Sequence, residues 1–185
     1  MPITAQRVIE LLQLQPHPEE GGYFRETYRS DERIPSDALP TRYVAPTQTG
    51  AGRSHATHIY YLLTPETYSQ LHLVESDEAF HFYLGDPIEQ LRLQPDGSHE
   101  TVLIGCDLEA GHRPQSIVPR GVWQGARLAP LMGEPAETTT GTFGFALVGC
   151  SVAPGFDFAD YRGPGRALLI ERYPEARAMI ERLCP

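Results

Sequence analysis

Between residues 22 and 152 the chain alternates apolar and polar positions in short runs. The runs GYFRETYR (22–29), HIYYLL (58–63), SQLHLVE (69–75), AFHFYLG (79–85), IEQLRLQ (88–94), TVLIG (101–105), SIVPRGVWQGARL (116–128) and TFGFALVGCSV (142–152) are rich in aromatic and β-branched residues. Turn signals separate them: Gly85-Asp86-Pro87, Pro95-Asp96-Gly97, Gly111 and Gly133. Short strands at this spacing, with no helices between them, predict an all-β antiparallel sandwich or barrel.

The two ends follow a different period. Thr4 is a candidate N-cap, and Val8, Leu11 and Leu12 recur at helical spacing until Pro16-His17-Pro18. Pro174 suits a first helical turn, and Ala176, Met179, Ile180 and Leu183 form one apolar face. One domain over residues 1–185 is expected: a helix and lead-in over 1–20, a barrel over 21–161 and a helix over 173–184. Residues 30–57 are polar, contain Pro and Gly, and read as a long loop or lid. No repeat or linker divides the chain.

Composition narrows the classes of function. Hydrophobic residues make up 41% and charged residues 21% of the 185, which is too apolar for disorder. The formal net charge of −9 opposes polyanions, so neither nucleic acid nor an anionic membrane is an expected partner. Cys106, Cys150 and Cys184 are odd in number and form no CxxC pair, which indicates neither a disulfide framework nor a cysteine-rich zinc site. The N-terminus does not read as a signal peptide, and no apolar run approaches membrane-spanning length. A reducing cytoplasm is the expected compartment.

Candidate chemistry concentrates in LHLVESDEAFHFYLGDP (71–87). Strand alternation places residues 72 and 74 on one face, and 78, 80 and 82 on one face. If Ser76-Asp77 turns a hairpin, His72 and Glu78 look into the same interior, and His81 lies opposite with Tyr83. A bulge would recruit His81 instead.

The spacing His72-x-Val74-(three residues)-Glu78-(six residues)-Gly85, followed by Pro119-Arg120-Gly121-Val122-Trp123-Gln124, resembles the two motifs of the cupin superfamily. Val74 and Gln124 stand where that pattern carries histidines. HPEEGGYFRETYRS (17–30), IYYLL (59–63), PQSIVPRGVWQGARL (114–128) and LVGCSVAPGFDFADY (147–161) also resemble one uncharacterised, cupin-like branch found in bacteria and fungi. The resemblance implies a double-stranded β-helix, a jelly-roll barrel, with a pocket in one mouth and usually a homodimer, whose interface the sequence leaves open; barrels of this shape commonly pair through an N-terminal strand. It implies no established reaction.

Metal-binding cupins hold an ion with three histidines and a glutamate. Here only His72 and Glu78 remain as strong ligands, so no cofactor is expected, and a divalent metal is a weak alternative. A metal-free site is chemically coherent: His72 as general base, Glu78 as the carboxylate that orients it, and Tyr28 or Tyr60 as acid. Gln124 would then hold a carbonyl or hydroxyl. Metal-free sugar-nucleotide epimerases of the superfamily use a comparable base and tyrosine, an analogy at the level of fold.

Further candidates for ligand contact are Glu26 and Arg25 on 22–29, Phe80, His81 and Gln115. By alternation Phe24, Glu26 and Tyr28 share one face, and Arg25 and Arg29 share the other. Gly21-Gly22 allows a tight turn with positive φ. His17, His55, His58, His99 and His112 read as surface residues, and Cys150 as core. The expected function is binding of a small molecule, by an isomerase or epimerase acting on a sugar or sugar-nucleotide-like substrate through proton abstraction. A non-catalytic binding protein and a metal-dependent oxygenase or isomerase are the alternatives.

Overall fold

The structure is a computed structural model and describes residues 3–43, 52–130 and 142–184. In chain order these form α1 (Ala5–Leu12), β1 (Gln15–Pro16), β2 (Tyr23–Arg29), β3 (Arg33–Ile34), β4 (Arg53–Ser54), β5 (Thr57–Leu63), β6 (Ser69–His72), β7 (Asp77–Gly85), β8 (Ile88–Leu93), β9 (His99–Ile104), β10 (Gln115–Val118), β11 (Trp123–Leu128) and β12 (Ala146–Ala153). Two short helices follow, α2 (Arg166–Arg172) and α3 (Arg177–Leu183). A six-stranded sheet in the order β1-β2-β5-β12-β7-β10 faces a four-stranded sheet in the order β6-β11-β8-β9. All ladders within both sheets are antiparallel, the jelly-roll barrel that the strand pattern predicts.

Alternation along the strands fills one end of the barrel. Tyr61, Leu63, Phe80, Ile88, Ile104, Val118, Leu128 and Val148 form one buried cluster between the sheets. Burying a large apolar side chain contributes roughly 1.5–3 kcal/mol, so this plug anchors both sheets. At Gly85, φ is +103°, and a Cβ there would lie 2.1 Å from the Phe145 carbonyl oxygen, so only glycine fits.

The outer faces are covered unequally. α2 and α3 pack Leu169, Ile180 and Leu183 against Leu71, Leu91 and Leu93 of the four-stranded sheet, with Trp123 beside them. α1 packs Val8 against Leu62 of β5 and Leu147 of β12, the central strands of the six-stranded sheet. Thr4 caps α1 by accepting the Arg7 N–H at 3.3 Å. Leu11 is exposed, and half-buried Ile9 takes the packing place expected for it.

Three expectations change. The C-terminal helix expected over 173–184 is two helices, starting at Arg166, with a 3₁₀ turn at Pro174–Ala176 between them. Within the 30–57 loop, β3 and β4 pair with each other, and residues 44–51 lie outside the described residues, as does the Gly133 turn. No hairpin joins β6 and β7. β6 pairs with β11 in one sheet, and β7 pairs with β10 and β12 in the other. Residues 73–76 carry the chain across the barrel, where the Ser76 hydroxyl donates to the Pro154 carbonyl at 2.7 Å.

Candidate functional site

Because β6 and β7 belong to opposite sheets, His72 and Glu78 approach each other across the barrel. Both side chains are buried and line one cavity of about 560 Å³, counting its open mouth. Its walls include Phe24, Ile59, Val74, Val152, Phe156 and Phe158. Apolar walls with a few convergent polar side chains suit a small organic ligand.

His72 is held in a defined way. Its Nδ1 lies 2.8 Å from the Gln70 carbonyl oxygen, which only an Nδ1–H can approach as donor. In the neutral ring the lone pair is then on Nε2. The Tyr161 ring stacks on His72 at 5.3 Å between centroids. The Tyr161 hydroxyl is buried and has no hydrogen-bond partner among the described residues. Burial, then the nearby charge of Glu20, pushes its pKa up, so it stays protonated as a donor.

Glu78 ends a polar chain that runs through the four-stranded sheet. Gln124 Nε2 donates to Glu78 Oε2 at 2.6 Å, and Gln90 Nε2 donates to Gln124 Oε1 at 3.3 Å. Arg92 donates to Gln90 Oε1 from Nε at 3.0 Å and from Nη2 at 2.9 Å, and also bonds Ser116. Every dipole points the same way, from guanidinium to carboxylate. Burial nevertheless dominates and raises the Glu78 pKa to about 7, while His72 and Gln124 pull it down. Gln124 therefore serves Glu78 and Gln90; it does not line the cavity, contrary to the expectation that it holds a ligand carbonyl.

Two cavity residues escape a strand-based reading. Gly21 (φ +89°) and Gly22 (φ +68°) turn the lead-in, and a Cβ at Gly21 would sit 2.5 Å from the Tyr68 carbonyl oxygen. That turn brings His17 and Glu20 into the cavity. Glu20 accepts from the Ser69 hydroxyl, and its carboxylate lies 4.0 Å from both His72 Nδ1 and His17 Nε2. His17 Nδ1 accepts the Glu20 backbone N–H at 2.8 Å, and burial lowers the pKa of its ring. His17 is thus an interior group rather than a surface one. The signal available was HPEEGG itself, two acids and a histidine directly before a glycine turn.

A bulge rearranges the candidates on β2. Glu26 pairs with Ile59 and Tyr28 with His58, so Thr27 is an extra residue. Alternation slips by one. Glu26 and Arg29 line the mouth and pair through Arg29 Nε (3.0 Å) and Nη2 (2.7 Å), whereas Tyr28 points outward, 49% exposed, against His58. Arg25 lies on the outside too, over the Tyr60 ring at 5.7 Å, and Tyr60 packs with the α1 cluster. Neither tyrosine reaches the cavity. His81 and Gln115 are also external: His81 Nε2 meets the Ser151 hydroxyl at 3.1 Å, and Gln115 Nε2 approaches His81 Nδ1 at 3.3 Å. Phe80 faces inward but is buried in the plug rather than the cavity wall.

The donor set does not fit a tightly held divalent ion. Val74 offers no ligand, His72 Nδ1 is engaged with Gln70, and Gln124 presents nitrogen, not oxygen, to Glu78. Among the described residues no three His, Cys, Asp or Glu side chains are placed to hold an ion.

The two facing antiparallel sheets, with His72, Glu78 and Gln124 at the motif positions, define a cupin barrel. Residues 6–163 match the family model described as "Cupin superfamily (DUF985)", and the chain belongs to that family. It is 31% identical over 166 residues to the uncharacterized protein YML079W of Saccharomyces cerevisiae, covering 86% of this chain and 75% of the yeast protein. Among solved structures, a hypothetical protein from Leishmania major is 33% identical with a TM-score of 0.78, covering 98% of this chain and 99% of that one. Protein SO0799 from Shewanella oneidensis is 30% identical with a TM-score of 0.79, covering 100% of this chain and 99% of its own. Among the described residues no helix is long and apolar enough to cross a membrane.

Proposed function

We propose that this cupin binds a small sugar-like molecule and acts on it as a metal-independent isomerase or epimerase. Proton abstraction beside a carbonyl would be the chemical step. The observation that carries the reading is the tautomer of His72: Nδ1–H donates to Gln70, and the lone pair on Nε2 belongs to a ring that lines the cavity. His72 is the base. Glu78, drawn from the opposite sheet with a pKa of about 7, is able to hold or release a proton near neutral pH. Neither Tyr28 nor Tyr60 reaches the cavity to serve as the acid, and Tyr161, stacked on His72, holds the imidazole in place. Gln124 positions Glu78, and Glu26 shapes the mouth.

Deuterium incorporation from D₂O into a panel of keto- and aldo-sugars, followed by NMR, tests this. Exchange at a carbon beside the carbonyl, lost in His72→Ala, supports the reading. Exchange that survives His72→Ala in full removes His72 as the base. Tight binding with no exchange in any sugar would leave a non-catalytic binding protein.

The same proposal includes a cytoplasmic homodimer. Tyr28, Tyr83 and Ile117, on β2, β7 and β10, are exposed on the outer face of the six-stranded sheet, and three free cysteines suit a reducing compartment. Sedimentation equilibrium of Tyr83→Glu against the parent chain tests the dimer.

A further inference from the structure

Taking the cavity of His72 and Glu78 as the ligand site, as proposed above, we propose that its ligand carries no phosphate and presents an amino group. The ammonium would be held between Glu20 and Glu78, against the rings of Phe156, Phe158 and His17.

The charge balance of the lining excludes an anion. Glu20, Glu26 and Glu78 face the cavity, and Arg29 is the one arginine that lines it among the described residues. Arg29 is already spent: Nε and Nη2 bind both oxygens of Glu26, and Nη1 donates to the Phe156 carbonyl at 3.1 Å. A phosphate would have to displace a bidentate carboxylate, which forfeits about as much as it gains. Around the adjoining loops Arg53 pairs with Asp160 at 2.5 Å and Arg162 with Glu75, and Arg42 donates to the Glu75 carbonyl at 3.2 Å.

The two internal segments outside the described residues do not supply the missing cation. All 15 basic residues are arginine; there is no lysine. Residues 44–51 (VAPTQTGA) carry no charged side chain, and 131–141 (LMGEPAETTTG) carry two glutamates and nothing basic. Wherever those segments lie, they bring no positive side chain to the mouth. A sugar nucleotide, with its diphosphate, is therefore the wrong class of ligand for this pocket.

A cation meets the opposite situation. Glu20 has Ser69 as its hydrogen-bond donor, but the two rings 4.0 Å away do not neutralise it. His17 is held neutral by burial and by the backbone N–H that its Nδ1 accepts. His72 directs Nδ1–H to Gln70 rather than to the carboxylate. Beside these acids stand packed aromatic rings: His17 and Phe24 edge-on at 4.6 Å, Phe156 and Phe158 edge-on at 5.2 Å, and His17 tilted on Phe158 at 6.0 Å. Carboxylates backed by aromatic faces recognise an ammonium by ion pairing and cation–π attraction together.

Binding of matched compounds, read by calorimetry and thermal shift at pH 7, where both amines are mainly ammonium, tests the proposal. One set is D-glucosamine, D-glucose and D-glucose 6-phosphate; the other is ethanolamine, ethylene glycol and glycolate. In at least one set the amine is expected to bind about tenfold or more tighter than its alcohol, as a charge-assisted contact implies, and the anion not at all. Glu20→Gln should abolish that preference, while Glu19→Gln, at an exposed neighbour, should keep it. An anion that binds more tightly than its amine, or no amine that exceeds its alcohol, overturns the proposal. The readout is independent of turnover: amine preference without deuterium exchange sinks the isomerase and keeps the ligand class, and exchange of a phosphorylated sugar does the reverse.

Discussion

β7 directs Glu78 into the barrel and, three residues later, His81 onto its outer surface. Each stands in a polar group beside a histidine. Inside, His72, Glu20, Glu78 and Gln124 are enclosed between two sheets, and a chain of amides ties Glu78 to Arg92. Outside, His58 Nδ1 meets the Ser151 hydroxyl at 2.7 Å, Ser151 meets His81, and Gln115 meets the far side of His81. The residue types are nearly the same, but inside the barrel burial raises the Glu78 pKa to about 7, because there water is replaced by side chains. Burial, not the presence of histidine, is what separates the cavity from a polar surface on this sheet.

The largest contrast is expected in chemistry. His72→Ala should reduce sugar deuterium exchange about 100-fold or more, the range lost with a general base, whereas His81→Ala should stay within roughly twofold of the parent. Equal losses in both variants, measured by NMR under one set of conditions, would erase the distinction between the faces.

Next comes the pH dependence of stability. The Glu78 pKa rises from the ordinary glutamate value of 4.5 to about 7 in the fold, so the native state holds a proton that the unfolded chain releases. Stability is therefore highest below pH 4.5 as far as this group is concerned, and falls as pH rises to 7 and beyond. The full difference is about 3 kcal/mol. Glu78→Gln should remove that slope in urea titrations between about pH 5 and 8. A slope that persists unchanged would place the charged carboxylate in a better-solvated site than the cavity.

A smaller effect should come from the far end of the amide chain. Arg92→Leu leaves Gln90 Oε1 with the Ser116 hydroxyl as its donor and is expected to cost about 1–3 kcal/mol, with the Glu78 pKa rising further as the aligned dipoles weaken. Carbon-13 NMR titration of Glu78 reads this directly, and an unmoved titration would make Arg92 a purely structural residue.

The smallest effect belongs to the outer group. Ser151→Ala breaks both histidine contacts, yet on a partly exposed face it should change stability by less than about 1 kcal/mol in thermal denaturation.

Much of this molecule follows from local pattern. The apolar runs became strands, Thr4 became a cap, Gly21-Gly22 and Gly85 took positive φ, and Cys150 went to the core, because alternation, capping and glycine geometry act over a few residues. His72, Glu78 and Glu26 were legible as interior candidates for the same reason. Parity failed where one extra residue intervened: Thr27 bulges, so Tyr28 left the cavity and Arg29 entered it. It failed again where adjacency in sequence hid separation in space, since β6 and β7 lie in opposite sheets.

The order of residues alone was enough for the strands, the family motif and the loss of two histidine ligands at Val74 and Gln124. It took the closed barrel to bring His17 and Glu20 into the cavity, to give Gln124 to Glu78, and to stack Tyr161 rather than Tyr28 on His72. Secondary structure is set by interactions a few residues long, whereas a cavity is assembled from side chains as far apart in the chain as His17 and Phe158. Their meeting is fixed by how two sheets close on each other, which no short stretch of the chain encodes.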